Sequence, residues 1–122
     1  MDNESILKDV RGALGLDSED DSFDSEIKLH VNSALATLNQ NGVGKEILVN
    51  GGEETWDDFR DDTQRESNYM FQQVKLYVFT KVKLLFDPPP PSTAGYMKEA
   101  TEELLWRLRE SYDLPISKEV IE

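Results

Sequence analysis

The chain has 122 residues, with 25 acidic against 13 basic side chains, a formal net charge of −12, 9% aromatic residues and no cysteine. That length suits one domain burying roughly two-thirds of its unfolded surface, and the composition suits a folded protein rather than a disordered one. The charge excludes nucleic-acid binding through a general basic surface, and the lack of cysteine excludes disulfides and thiolate metal sites.

The first residues, MDNESILKDV, are polar and acidic without an apolar h-region, so no secretory signal is expected. No apolar run approaches the ~20 residues of a membrane span, which points to a cytoplasm or a particle assembled there. A first helix is predicted over residues 4–14. Ile6, Leu7, Val10 and Leu14 share one face, and Gly15 is placed to end it in a left-handed cap. Residues 17–26, DSEDDSFDSE, are rich in acids and lack a base. Ser22 should cap a second helix, with Asp24 and Glu26 near its positive end. That helix should run to about Asn41, with Phe23, Ile27, Val31, Ala34, Leu35 and Leu38 as its stripe and Asn41-Gly42 as its stop.

Residues 43–55 read as a long connection. Ile47, Leu48 and Val49 form a short extended run before the turn signal Asn50-Gly51-Gly52, which leaves room for a minor strand or hairpin. Thr55 can cap a single helical turn through Phe59. Residues 63–66, TQRE, have the form of a capping box opening a third, central helix that runs to about Phe86.

On that central helix Met70, Phe71, Val74, Tyr77, Val78, Val82 and Leu85 form one broad stripe, while Leu76, Phe79 and Phe86 lie off it. A helix apolar nearly all round is central in its domain or shared between subunits. Lys81 falls inside the stripe, where it must snorkel outward or meet a carboxylate. Residues 88–91 are four prolines, expected to form a stiff polyproline link. Ser92 or Thr93 should cap a last helix over residues 94–112. Met97, Ala100, Leu104 and Leu108 form its inner stripe, flanked by Thr101, Leu105 and Tyr112. Trp106 falls on its polar side, among Glu99, Glu102, Glu103, Arg109 and Glu110. There it either meets a neighbour or is covered by residues 43–55 or Trp56. The fold class is all-α, with four main helices in a single domain over residues 1–112. A tail over residues 113–122 is expected to stay mobile until bound.

Catalytic and metal chemistry find no support. A calcium loop needs glycine at its sixth position and glutamate at its twelfth. Counted from Asp17 these are Ser22 and Lys28; counted from Asp20 they are Ser25 and Val31. His30 is the only histidine, so zinc ligation and a Cys–His pair lack partners, and no GxSxG elbow exists for a serine triad. It reads as a hydrogen-bonded histidine beside the core. GVGK at residues 42–45 is far short of a phosphate loop. Asp57/Asp58 and Asp61/Asp62 are adjacent in sequence, so their side chains diverge and form no acid–base dyad.

Four segments in order carry a resemblance: IKLHVNSALATLNQNGVG at residues 27–44, TWDDF at 55–59, VKLYVFTKVKLLFDPP at 74–89, and EELLWRL at 102–108. The chain resembles the small head–tail connector proteins, also called adaptor or DNA-packaging proteins, of long-tailed double-stranded DNA bacteriophages. The resemblance implies an all-α structural virion protein without catalysis or cofactor. Such subunits form a ring, commonly of about twelve copies, beneath the portal protein. The ring extends the DNA channel and docks the next head-completion or tail protein. In this chain the surplus apolar and unusual positions Leu76, Phe79, Lys81, Phe86 and Trp106 become the expected subunit interface. Leu114, Ile116, Val120 and Ile121 of the tail become the expected portal-docking residues. An acidic channel wall would let double-stranded DNA slide without specific binding, because it releases no counterions from phosphate. An acidic DNA-mimicking inhibitor and a small regulatory protein-binding module remain the alternatives, with a Mg²⁺-dependent hydrolase a distant third.

Overall fold

The computed structural model describes residues 4–17, 19–61 and 68–113. Among these are five helices and no strand: α1 (Ile6–Ala13), α2 (Asp24–Gln40), α3 (Trp56–Phe59), α4 (Asn68–Phe86) and α5 (Pro91–Asp113). The fold class is therefore all-α, with one helix more than the four expected, because the turn at residues 56–59 is a helix in its own right.

Both early helices stop as their glycines dictate. Gly15 and Gly42 each have a φ of 85°, a conformation that lacks a Cβ penalty only for glycine. The N–H of Leu16 donates to Arg11 O at 2.9 Å and that of Gly15 to Gly12 O at 3.0 Å. After α2, Val43 donates to Leu38 O at 2.9 Å and Gly42 to Asn39 O at 3.0 Å. Each set is a Schellman motif, which satisfies carbonyls the helix end would otherwise leave unpaired.

The start of α2 differs from expectation. Phe23, not Ser22, holds the N-cap position and supplies no side-chain cap. Ser22 instead donates its N–H to Asp20 Oδ1 at 3.0 Å, and Glu19 donates to Asp17 Oδ1 at 2.9 Å. Short acidic side chains thus fold the loop on itself. Hydrogen bonds from the Ser22 hydroxyl and N–H, with the positive charge of Arg11, hold the Asp20 carboxyl below its ordinary pKa. Asp24, in the first turn of α2, binds Arg11 in a fork: Nε to Oδ1 at 3.0 Å and Nη2 to Oδ2 at 2.6 Å. The hydrogen bond that Arg11 donates to Asp24 raises the Arg11 pKa against the opposing effect of burial. The fork fixes the angle between α1 and α2.

The connection after α2 is neither strand nor hairpin. Val49 is buried, and its N–H and C=O both pair with one side chain, Asn32 of α2, at 2.7 and 3.0 Å. The amide of Asn32 does what a neighbouring strand would do, because the backbone of a helix has no free groups to offer. Among the described residues the only β-bridge is the isolated antiparallel pairing of Ser5 with Thr55. Lys45 donates to Phe59 O at 2.7 Å and Asn39 to Gly44 O at 3.0 Å, drawing the connection onto α3. Gly44, with φ of 76°, lies so close to the Phe59 ring that an added Cβ would stand 2.3 Å from it. Asp58 Oδ2 accepts from Thr55 N–H at 2.9 Å and starts α3 at the expected cap.

α4 is the shared element: it packs against α2 and α5, and α1 closes on α4 and α2. Phe71, Val74, Tyr77, Val78 and Val82 are buried in one cluster with Ile27, Val31, Leu35 and Leu38 of α2. Two positions depart from the expected stripes. Leu85 is 47% exposed, and Ala100 of α5 is exposed. The inner face of α5 is Thr101, Leu104, Leu108 and Tyr112 instead. The proline link is also shorter than expected. Pro91 opens α5, where its missing N–H would have gone unpaired anyway, and Pro90 O accepts from Ala94 N–H at 2.8 Å. Neither Ser92 nor Thr93 is the cap. The capping box at residues 63–66 lies outside the described residues.

Candidate assembly surface

Two kinds of unusual side chain were singled out by the sequence, and the tertiary structure separates them. Phe79 and Phe86 are half covered within the chain. The Phe79 ring meets Trp56 edge to face at 6.1 Å, and Phe86 meets Phe23 at 5.5 Å. Leu76 and Trp106 are uncovered, at 48% and 57% exposed. Trp56 is wholly buried among α1, α3 and α4, and Trp106 is left more than half exposed.

Leu76 stands at the edge of an apolar groove between α4 and α5. Gln73 and Thr80 line it on α4, with Met97, Ala100 and Leu104 on α5 and the Glu103–Arg107 pair at its rim; its volume is about 360 Å³. Ala100 is exposed because it forms the floor of this groove rather than core. Outside that groove, Leu29 of α2 and Leu48 of the connection are 71% and 66% exposed. Scattered apolar surface is ordinary, but several large exposed side chains on one small chain are surface that an assembly can cover.

Charge sorts along the helices. α4 carries Lys75, Lys81 and Lys83 and no acid. Lys75 Nζ lies 4.0 Å from Asp9 and over the rings of Trp56 and Phe71, at 5.6 and 5.3 Å. Lys83 binds Asp87 at 3.0 Å. Lys81 has no carboxylate partner among the described residues and is half buried, so its stem snorkels along the apolar surface. Leu85, one turn further on, lies on the same side of the helix. The outer face of α5 is the reverse: Trp106 is surrounded by Glu99, Glu102, Glu103 and Glu110, of which Glu103 is held by Arg107 at 2.7 Å and Glu110 by Arg109 at 3.8 Å.

The cage around Lys75 was not foreseen in the sequence. Trp56 Nε1 donates to Asp9 Oδ2 at 2.8 Å, so one carboxylate ties α1 to α3 and α4 at once. The only hint was local: a tryptophan just after a helix cap is in place to be buried. His30 lies 3.6 Å from Glu26 on its own helix. Among the described residues no group of three or more acidic, histidine or cysteine side chains could hold a metal ion. No helix of the described residues is long and apolar enough to cross a membrane. Leu114, Ile116, Val120 and Ile121 lie outside the described residues.

Comparison with known families agrees with this picture of a protein built for contact. Residues 6–114 match the model of a family described as phage connector protein. No curated protein and no solved structure matches the chain.

Proposed function

Because the chain belongs to the phage connector protein family, a structural head–tail connector, we propose that it acts as one subunit of a closed ring of about twelve copies at the phage head–tail junction. In this reading residues 1–112 form the ring body, assembled in the host cytoplasm and carried in the virion. The ring meets the portal protein on one side and a head-completion or tail protein on the other, with DNA passing through its centre. The observation that carries it is the uncovered apolar surface, Leu76 with its groove and, outside that groove, Leu29 and Leu48. Each such side chain contributes roughly 1.5–3 kcal/mol when buried, repeated at every subunit boundary. Leu76, Lys81 and Trp106 are the proposed centre of that boundary, with Phe79 and Phe86 as its supporting layer. The excess of acids keeps a channel wall from holding phosphate.

The tail provides the portal contact through Leu114, Ile116, Val120 and Ile121. Native mass spectrometry of the purified protein, alone and mixed with portal-bearing heads, tests the ring, and cryo-EM of the particle counts its copies. Monomers in every setting would sink the reading. Deleting residues 114–122 should spare the helical body and lower recruitment to portal-bearing heads. Normal recruitment without the tail would remove it as the docking element.

A further inference from the structure

The ring reading leaves open which side chains meet at a subunit boundary, and two unpaired features of opposite charge supply an answer. Lys81 is the one lysine of α4 with no carboxylate among the described residues, and Leu85 beside it is 47% exposed. On α5, Trp106 is 57% exposed. Glu102 lies one turn before it on the same side of the helix, and neither Glu102 nor Glu99 has a basic partner among the described residues.

We propose that Lys81 of one copy docks on the Trp106 ring and the Glu102 carboxylate of the next copy, with Leu85 packed against the indole edge. A lysine ammonium over an indole face is attracted by the ring quadrupole, and a carboxylate beside the ring completes the pairing. The chain already uses this chemistry internally, where Lys75 sits over Trp56 with Asp9 alongside. The occupant is a second copy because both halves of the contact are carried by every chain and neither is satisfied among the described residues. Within the ring reading the contact is heterologous, each copy using its α4 half toward one neighbour and its α5 half toward the other. Such contacts close into rings when the rotation allows, whereas a self-complementary patch stops at a dimer. In a chain of net charge −12, a lysine meeting the acidic face of a neighbour also reduces the like-charge repulsion that opposes assembly.

This inference rests on the ring reading, and its test separates the two. Wild type, Lys81→Glu, Glu102→Lys, Trp106→Ala and the double variant Lys81→Glu/Glu102→Lys are compared by native mass spectrometry across a concentration series, with circular dichroism melting to establish that each is folded. Each single variant should raise the concentration for half assembly by at least about tenfold. The charge-swapped double variant should return it to within about threefold of wild type. Trp106→Ala keeps the test open if a charge reversal perturbs folding, since Trp106 is 57% exposed and is not one of the buried core residues. Rings that form equally well in all variants would overturn this contact and leave the ring reading standing. A wild type that never assembles, alone or on portal-bearing heads, would overturn both.

Discussion

The two tryptophans of this chain sit in opposite surroundings, although each has acids close to it in sequence. Trp56 belongs to a four-residue helix and is wholly buried; Trp106 belongs to the longest helix and is 57% exposed. Trp56 is enclosed by Phe71 and Phe79 edge to face, at 5.9 and 6.1 Å, and its N–H is satisfied by Asp9. Trp106 has no such enclosure, and the carboxylates along its helix face outward with it. The difference separates what holds a subunit together from what lets subunits meet. An aromatic ring buried with its polar edge paired contributes to folding. The same ring left outside among acids contributes only after something covers it.

Removing each ring tests that division. Trp56→Ala leaves a large cavity where α1, α3 and α4 meet and removes the indole that donates to Asp9 and lies beneath Lys75. It should destabilise the monomer by about 3–5 kcal/mol, read from the urea midpoint by circular dichroism. Assembly should fail with it, since the body of the subunit is lost. Trp106→Ala should change the monomer midpoint by no more than about 0.5 kcal/mol and weaken assembly by about 2 kcal/mol, measured by sedimentation. A Trp106→Ala monomer as unstable as the Trp56→Ala one would collapse the distinction. A finer probe uses Trp56→Phe, which leaves Trp106 as the sole indole. Its fluorescence should be quenched freely by acrylamide in the monomer and protected in the assembled state.

Smaller effects mark how the buried region is tied down. Asn32→Ala strands the N–H and C=O of Val49 and should cost about 1–2 kcal/mol without touching the exposed face. Unchanged assembly per folded subunit is the expected companion result.

The smallest effect is a pH dependence at Glu54. Burial pushes its carboxyl up, but the backbone N–H groups of Glu54, Asn50, Gly51 and Gly52 outweigh that and hold it below its ordinary value of 4.5. Oε1 itself is shielded and lacks a hydrogen bond, while Oε2 accepts a long one from Gly51 at 3.5 Å, so the depression reflects the converging N–H dipoles more than any single bond. A depressed carboxylate adds stability that is fully present above its unfolded value and fades as pH falls through the folded one. Glu54→Gln should therefore flatten the loss of stability below about pH 4.5, and an unaltered acid limb would show that Glu54 plays no part in it.

Much of the fold was legible because its signals are local. Gly15 and Gly42 end helices through backbone conformation alone, and Thr55 starts one through bonds within a single turn. The all-α class and the central place of α4 followed from its apolar breadth, and the ordered segments from Ile27 to Leu108 carried the family resemblance. The exposure of Trp106 on the polar side of its helix was legible too, but not whether another part of the chain would cover it. Periodicity gives a direction around a helix axis; it does not say how far the neighbouring elements reach along that axis. Hence Leu85, inside the apolar stripe, is left half exposed, whereas Phe79 and Phe86, off the stripe, are half hidden by Trp56 and Phe23. For the same reason only the tertiary structure decided that Lys75 lies among aromatic rings while Lys81, two turns later on the same helix, has no carboxylate partner among the described residues. Burial and pairing depend on groups far apart in sequence, whereas helix stops, caps and net charge are properties of neighbours along the chain.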